Sequence, residues 1–424
     1  MTQPASSSPF STANPHALAT ILEASETRSI IASRDIFDIA GIKLWARDQP
    51  VSGALQRKLL DRQLRNPLES CLMAEDGVTA RTLVDAVEAL VAADTPLAPL
   101  LRAHAHRLVH ETVRLPLHPV AQLLLTAGQA SRPGAFDHAV AAMAVAGALM
   151  IDHGGTVADL RLAMLGGLLH DLGEMYIDPR HGEADADRTL DFKSYQQLVV
   201  HPHVGQLLLS QLTDYPKALA RAIAEHHERL DGSGYPHALA REAVSPLGRL
   251  LAVTEATLGS LRAPGTHLAH ASVALRVVPC EFDLGWVGPI AAAARSQPPL
   301  RAECDAVEVG ERLDRLEAAL QSTQRSVDAL TTSAETPALK AAFALADHLL
   351  ARLRTGCLAS GLWGREGTGG LAAQDAPEVD AVEHELRFRL RTIVRATMLR
   401  AGELPLDDAQ RLALFCISLK SAAS

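Results

Sequence analysis

Aromatic side chains make up only 4% of the 424 residues, and the five cysteines are scattered with no CxxC pair. That spacing offers no disulfide framework, so Cys71, Cys280, Cys304, Cys357 and Cys416 read as reduced core or surface thiols. No uninterrupted apolar run of about eighteen residues occurs, and no membrane span is expected. Met1 to Pro15 lacks both a basic start and an apolar core. Neither a signal peptide nor a membrane anchor is expected there, and its Ser, Thr, Pro and Ala content reads as a disordered tail. Basic charge is also short: forty Lys and Arg against forty-nine Asp and Glu leave −9. This balance offers no surface for a nucleic-acid polymer. A soluble, cytoplasmic protein is the expectation. A negative chain that handles an anionic small molecule needs positive charge locally, and metal ions can supply it.

What the chain has in quantity is alanine and leucine. Hydrophobic residues reach 48%, ample for buried cores, and the Ala–Leu bias favours helices over strands. At 424 residues the chain exceeds one ordinary domain. The expected division is a tail over 1–15, an accessory region over 16–117, a central domain over 118–298 and a helical region over 299–424. The fold class is mainly all-α: a helical core, a small mixed N-terminal segment and a C-terminal helical bundle.

Three clustered signals fall between residues 167 and 236. They are Leu168-Leu-His-Asp-Leu-Gly-Glu174, His201-Pro-His-Val-Gly205 and Glu225-His-His-Glu-Arg-Leu-Asp-Gly-Ser-Gly-Tyr-Pro236. His170 and Asp171 follow an apolar run of helical spacing that stops at Gly173. A neighbouring imidazole and carboxylate at such a helix end can face one cavity. A carboxylate can bridge two cations, whereas an imidazole binds one. His226 and His227 form a second adjacent pair, and His201 adds a fifth candidate. Nitrogen with carboxylate oxygen suits Zn, Fe or Mn, and no thiolate lies nearby. An isolated histidine in an apolar helix is more often a packed core residue than a ligand. Two adjacent pairs plus His201 within about sixty residues turn the reading to a metal centre.

At these residues the sequence resembles the HD-GYP phosphodiesterases of bacterial signalling. The match consists of His170-Asp171 with Gly173, His201-Pro202 with Gly205, and His226-His227-Glu228 followed by Asp231-Gly-Ser-Gly-Tyr-Pro236. It covers about residues 118–295. The resemblance implies an HD-type helical core holding two divalent metal ions, with Fe or Mn favoured over Zn. It implies hydrolysis of cyclic di-GMP to pGpG or GMP by a metal-bridging hydroxide, with His170 and Asp171 as the catalytic pair. His138, at the start of a helix expected over 135–150, corresponds to the family's first ligand. Glu255, in Ala252-Val-Thr-Glu255, stands where the family has a metal-binding Asp. The implied partition puts His138, His170, Asp171 and Glu255 on one metal, and Asp171, His201, His226 and His227 on the other. Gly134 stands where some members carry a Glu that helps hold a third metal, so two are expected. Asp231, Gly232, Gly234, Tyr235 and Pro236 form the loop implied at the site rim, where substrate and partner signalling proteins are met.

The sequence departs from the family in its substrate contacts. Glu174 stands where the family commonly has a phosphate-contacting Lys, Ala141 where an Arg usually follows the first His, and the basic segment expected near Arg262-Ala-Pro264 is missing. The ligand set is nearly complete while the substrate-gripping set is thinned. The first reading is therefore a cyclic di-GMP phosphodiesterase with an altered clamp. The alternative is a weakly active or inactive regulatory protein of the same fold.

Elsewhere, Asp35 to Ala46 reads as a short strand pair around Ala40-Gly41, and Leu55 to Leu72 as a helix. His104, His106 and His110 lack a companion ligand at useful spacing and read as a solvated helix face. Tyr195–Leu212 and Pro216–Arg229 read as helices carrying His201 and the His pair. Val309, Leu313, Leu316, Leu320, Val327 and Leu330 alternate at 4 and 3 spacings with Thr323 in the gap. A homodimeric coiled coil is one reading; a bundle with the helical patterns near 337–354, 378–400 and 406–419 is the favoured one. The glycines of 361–373 have no following Lys-Ser or Lys-Thr, so they form a linker rather than a phosphate loop.

Overall fold

The computed structural model describes residues 9–181, 192–301, 305–359 and 374–422. Packing divides the chain into a unit over Met1–His226 and a unit over His227–Ser424. That division falls inside the stretch 118–298 expected as one domain. The architecture is helical, as composition implied.

In the first unit, Asn14 caps α1 (Pro15–Ala24) by accepting from the His16 and Ala17 amides, with Pro15 opening the helix. Four short strands and one helix follow: β1 (Ile30–Ala32), β2 (Ile36–Phe37), β3 (Lys43–Trp45), α2 (Gly53–Leu59) and β4 (Leu72–Ala74). β2 pairs antiparallel with β3, as expected for 35–46, and Gly41 at φ 83° makes the turn. β1 pairs with β4, a partnership between segments far apart in sequence that local pattern does not reveal. The helix expected over 55–72 ends at Leu59. Pro67 has no amide to donate, residues 68–71 form a 3₁₀ turn, and the pairing with β1 takes the next three residues into a strand. Of the expected tail, residues 1–8 lie outside the described residues, while Phe10 is buried edge-on against Tyr176 at 5.8 Å.

The helices that build the core are α3 (Ala80–Ala92), α4 (Ala98–Arg102), α5 (Ala105–Thr112), α6 (Pro119–Ser131), α7 (Pro133–Asp152) and α8 (Val157–Leu169). α9 (Phe192–Leu198), α10 (His201–Leu212) and α11 (Lys217–Glu225) complete the unit. α7 is long and apolar enough to cross a membrane by length and composition, yet 67% of its apolar window is buried within the structure. α6 and α8 pack along it. Small residues allow a close α7–α8 crossing: a Cβ on Gly167 would lie 2.4 Å from the Ala142 carbonyl oxygen, and one on Gly147 would lie 3.0 Å from Met164 Cγ. The His104 ring lies 3.0 Å from Asp152, while His106 and His110 stack on each other at 6.3 Å. These three histidines do not converge.

Between α8 and α9 a 3₁₀ turn, residues 172–176, is fastened to the N-terminal region. Asn14 Nδ2 donates to the Tyr176 carbonyl at 3.2 Å, and the Tyr176 hydroxyl donates to Glu69 Oε1 at 2.6 Å. Burial raises the Glu69 carboxyl, with the Tyr176 bond pulling the other way. A carboxyl raised in the fold contributes stability that is full below its unfolded value, near 4.5, and is lost as pH rises through the folded one. Glu69→Gln is therefore expected to flatten the decline in melting temperature above pH 4.5. An unchanged slope would contradict it.

The second unit contains α12 (Pro246–Ser260), α13 (Leu268–Ala274), α14 (Leu284–Ala294), α15 (Ala306–Ser333), α16 (Pro337–Ala359), α17 (Ala376–Leu399) and α18 (Leu406–Ala422). Ser245 caps α12 by accepting from the Gly248 amide. Along α15, Val309, Leu316, Leu320, Thr323 and Val327 are buried. Leu316, Leu320 and Val327 join one apolar core with α16, α17 and α18, including Phe343, Leu350, Leu386 and Leu412. The heptad seam therefore faces its own bundle. The glycine-rich stretch 361–373 lies outside the described residues.

Candidate metal centre

Three close approaches at glycines, each within about a turn of a candidate ligand, assemble the centre in the first unit. Gly167 lets α8 settle on Ala142 of α7. His138 lies one turn before Ala142, and His170 three residues after Gly167, so both rings emerge at the same end of the helix pair. Their Nε2 atoms are 3.2 Å apart. Gly173, two residues after Asp171, lies against α10; a Cβ there would sit 2.0 Å from the His201 carbonyl oxygen. Gly205 in turn takes the Ile223 side chain of α11, whose Cγ2 would be 2.9 Å from an added Cβ. That crossing sets His226, three residues past Ile223, with its Nε2 3.1 Å from that of His201. The helix expected over 195–212 is broken just before His201, because Pro202 in the first turn of α10 lacks an amide to continue α9. α11 ends at Glu225, so His226 is its C-cap rather than an interior residue.

Asp171 lies between the two histidine pairs. Its Oδ2 is 3.1 Å from His170 Nε2 and 3.4 Å from His138 Nε2. Its Oδ1 is 3.4 Å from both His201 Nε2 and His226 Nε2. The ligand atoms of His138, His170 and Asp171 lie within 4.8 Å of one another, as do those of Asp171, His201 and His226. His170, His201 and His226 are buried, whereas the side chains of His138 and Asp171 keep 20% and 18% of their exposure. The centre therefore opens to solvent on the His138–Asp171 side.

A repeated second contact fixes the tautomers. His170 Nδ1 lies 2.7 Å from the Gly167 carbonyl, His201 Nδ1 2.7 Å from that of Leu198, and His226 Nδ1 2.6 Å from that of Ile223. Each ring thus donates from Nδ1 to the carbonyl three residues back, which turns the Nε2 lone pair inward. Two inward lone pairs at 3.1 Å repel unless a positive charge lies between them. Asp171 Oδ1 is also buried with no hydrogen-bond partner among the described residues. Burial, with the His170 and His201 rings beside it, pushes the His226 ring down to about 4 against the pull of Asp171. The ring is then neutral at pH 7, the form that ligates a cation. The donor set fits divalent cations bound by nitrogen and carboxylate oxygen.

His227 and Glu255 lie in the second unit. His227 is buried and stacks on the Tyr235 ring at 4.4 Å and 18°. Glu255 is buried on α12, with Arg262 Nη2 2.9 Å from its Oε1. The Asp231–Pro236 loop is drawn tight by side chain and backbone together. Asp231 Oδ1 accepts from the Ser233 amide and hydroxyl, Gly232 takes φ 83°, and a Cβ on Gly234 would sit 2.4 Å from the His227 carbonyl. Sequence reasoning noted Glu228 but gave it no role. It is fully buried and accepts from the His237 and Leu239 amides at 2.7 and 2.8 Å, anchoring the chain just after Tyr235-Pro236. The carbonyl partners of the three Nδ1 atoms also carry no signal in sequence, since any residue supplies a carbonyl.

The HD domain family matches residues 100–276, which contain every candidate ligand. The chain carries an HD domain over these residues. Cyclic di-GMP phosphodiesterase PA4108 of Pseudomonas aeruginosa is 34% identical over 155 residues, 36% of this chain and 37% of that protein. The cyclic di-GMP phosphodiesterase response regulator RpfG of Xanthomonas campestris is 32% identical over 116 residues, 26% of this chain and 29% of its own. The 3′3′-cGAMP-specific phosphodiesterase 3 of Vibrio cholerae is 30% identical over 88 residues, 21% and 18% of the two chains. The chain thus spans less than two-fifths of the length of each of these relatives.

Proposed function

We propose that the protein is a metal-dependent phosphodiesterase that hydrolyses cyclic di-GMP to pGpG or GMP in the cytoplasm. The observation that carries the reading is Asp171 between two pairs of inward-facing imidazoles, each carboxylate oxygen addressed to its own pair. His227, adjacent to His226 in the chain, and Glu255 complete the two ligand sets in this proposal. Divalent cations there, Fe or Mn before Zn, would polarise a phosphodiester and make a nucleophile of water near neutral pH. The protein's part is orientation. The Nδ1 bonds hold three rings with their Nε2 atoms inward, the glycine crossings fix the spacing, and the more exposed His138–Asp171 side admits the substrate. The Asp231–Pro236 loop forms the rim and meets the dinucleotide or a signalling partner.

A second reading, a regulatory protein with little turnover, draws support from the arginines. Arg132 Nη2 donates to Thr20 Oγ1 at 3.1 Å and its Nη1 lies 3.5 Å from the Glu174 carbonyl, while Arg262 is engaged by Glu255. These two guanidinium groups are thus already committed to the protein. Glu174 adds a negative charge three residues beyond Asp171. The deciding experiment assays protein purified without oxygen and loaded with Fe or Mn, beside Glu174→Lys. The expected result is turnover of cyclic di-GMP that Glu174→Lys raises by about tenfold, the equivalent of 1.4 kcal/mol in the barrier. Absence of turnover in both, with metal bound, would overturn the enzyme reading in favour of the regulatory one.

A further inference from the structure

The rim loop of the second unit is held in part by residues outside the HD domain match, from Glu281 and from α16 and α17. Glu281 is buried, and its backbone carbonyl accepts from the Leu230 amide at 2.9 Å, immediately before Asp231. The Glu281 carboxylate is taken by Arg389 of α17, whose Nε donates to Oε2 at 3.0 Å and whose Nη2 donates to the Ala274 carbonyl at 3.0 Å. Arg229 approaches Glu281 Oε1 at 3.8 Å and lies over the Phe282 ring at 4.8 Å. From α16, His348 Nε2 lies 3.2 Å from the Asp231 carbonyl oxygen. A small cavity is lined by Asp231, Ser233 and Glu281 together with Leu349, Leu353 and Arg389.

The attachment of α16 is equally close. A Cβ on Gly356 would sit 2.1 Å from the Val277 carbonyl oxygen, and Arg352 donates to the Pro279 carbonyl. The stretch 277–281 is therefore gripped by both α16 and α17 and passes that grip to Leu230 through one backbone bond. Beyond Leu230 the chain runs through the Asx turn to Tyr235, whose ring stacks on His227.

We infer that Arg389, acting through Glu281, is a positioning residue for the Asp231–Pro236 loop and the His227–Tyr235 stack, so that the C-terminal helices set the shape of the substrate rim. The inference deepens the phosphodiesterase reading and rests on it for its kinetic consequence. A buried arginine bonded to both a carboxylate and a carbonyl is worth most where the partner geometry must be exact, and lysine reproduces only part of it.

The test uses the full chain loaded with Mn and compares Arg389→Met, Glu281→Gln and the double variant with wild type. Amide exchange is followed at Leu230 and Tyr235, and kcat and KM are measured for cyclic di-GMP. Each single variant is expected to speed exchange at both amides and to raise KM by about tenfold with a smaller change in kcat. The double variant is expected to match the singles rather than multiply them, because the two residues act as one unit. Exchange and KM within about twofold of wild type in Arg389→Met would overturn the inference. Equal acceleration throughout α18 would do so too, since that is general loosening. If Arg389→Met does not fold, Arg389→Lys is measured in its place; a change of about threefold at both amides supports the role, and none removes it. Should wild type fail to turn over cyclic di-GMP, the enzyme reading falls, while the exchange measurements still decide the positioning role.

Discussion

Asp171→Ala is expected to strip the centre of metal and to lower hydrolysis by at least about 10²-fold, near 3 kcal/mol in the barrier, while the helices stay folded. The carboxylate lies between His138–His170 and His201–His226, and each of its oxygens faces one pair at 3.1–3.4 Å. Alanine leaves four imidazole nitrogens around an uncharged gap. With no carboxylate to offset or link the cations' charge, neither is retained. The fold has little reason to fail. The backbone bond from the Glu174 amide to the Asp171 carbonyl at 2.9 Å survives the substitution. The lost Oδ1 accepted no hydrogen bond among the described residues. Metal-free Asp171→Ala is therefore expected to melt within about 3 °C of metal-free wild type, a difference below roughly 1 kcal/mol. Metal analysis, turnover and melting on the same preparation check the three parts together. Full metal content in the variant would refute the bridging role whatever the rate.

The residues at the centre were legible because their chemistry is written in residue type. Adjacent His–Asp and His–His pairs, and a turn spelled Asp-Gly-Ser-Gly-Tyr-Pro, have few bland explanations. Helical content followed from Ala and Leu, and the β2–β3 pair from its Gly41 turn. What was hidden depends on partners distant in sequence. The β1–β4 pairing put Leu72, the last residue of the helix expected over 55–72, into a strand. Pro202 and the end of α11 moved His201 and His226 from helix interiors to helix termini, where a ring can reach the carbonyl three residues back. Gly173 and Gly205 stood out as part of a pattern, but only the packing shows that they are contact points between ligand-bearing segments. Glu281 and Arg389 carry no local sign of their pairing, since they lie 108 residues apart.

Gly173→Ala is expected to be among the most damaging single-methyl additions in the molecule, and to act on the metal centre as much as on stability. The added Cβ would lie 2.0 Å from the His201 carbonyl oxygen, 2.9 Å from its carbon and 2.8 Å from the Gly205 amide nitrogen. All three are backbone atoms, so no side chain can rotate out of the way; α10 or the 172–176 turn must move. Overpacking of this kind costs about 3 kcal/mol or more, which for a unit of this size lowers the melting temperature by roughly 6–12 °C. The direction of relief determines the function that is lost. Separating the 172–176 turn from α10 pulls Asp171 away from His201, and the carboxylate can then no longer serve both histidine pairs. Gly128→Ala provides the contrast, because a Cβ there meets nothing within 4 Å. It should leave melting and metal content close to wild type. If Gly173→Ala melts like Gly128→Ala and keeps its metal, the close approach does not set the ligand geometry, and Asp171 is oriented by the α7–α8 crossing alone.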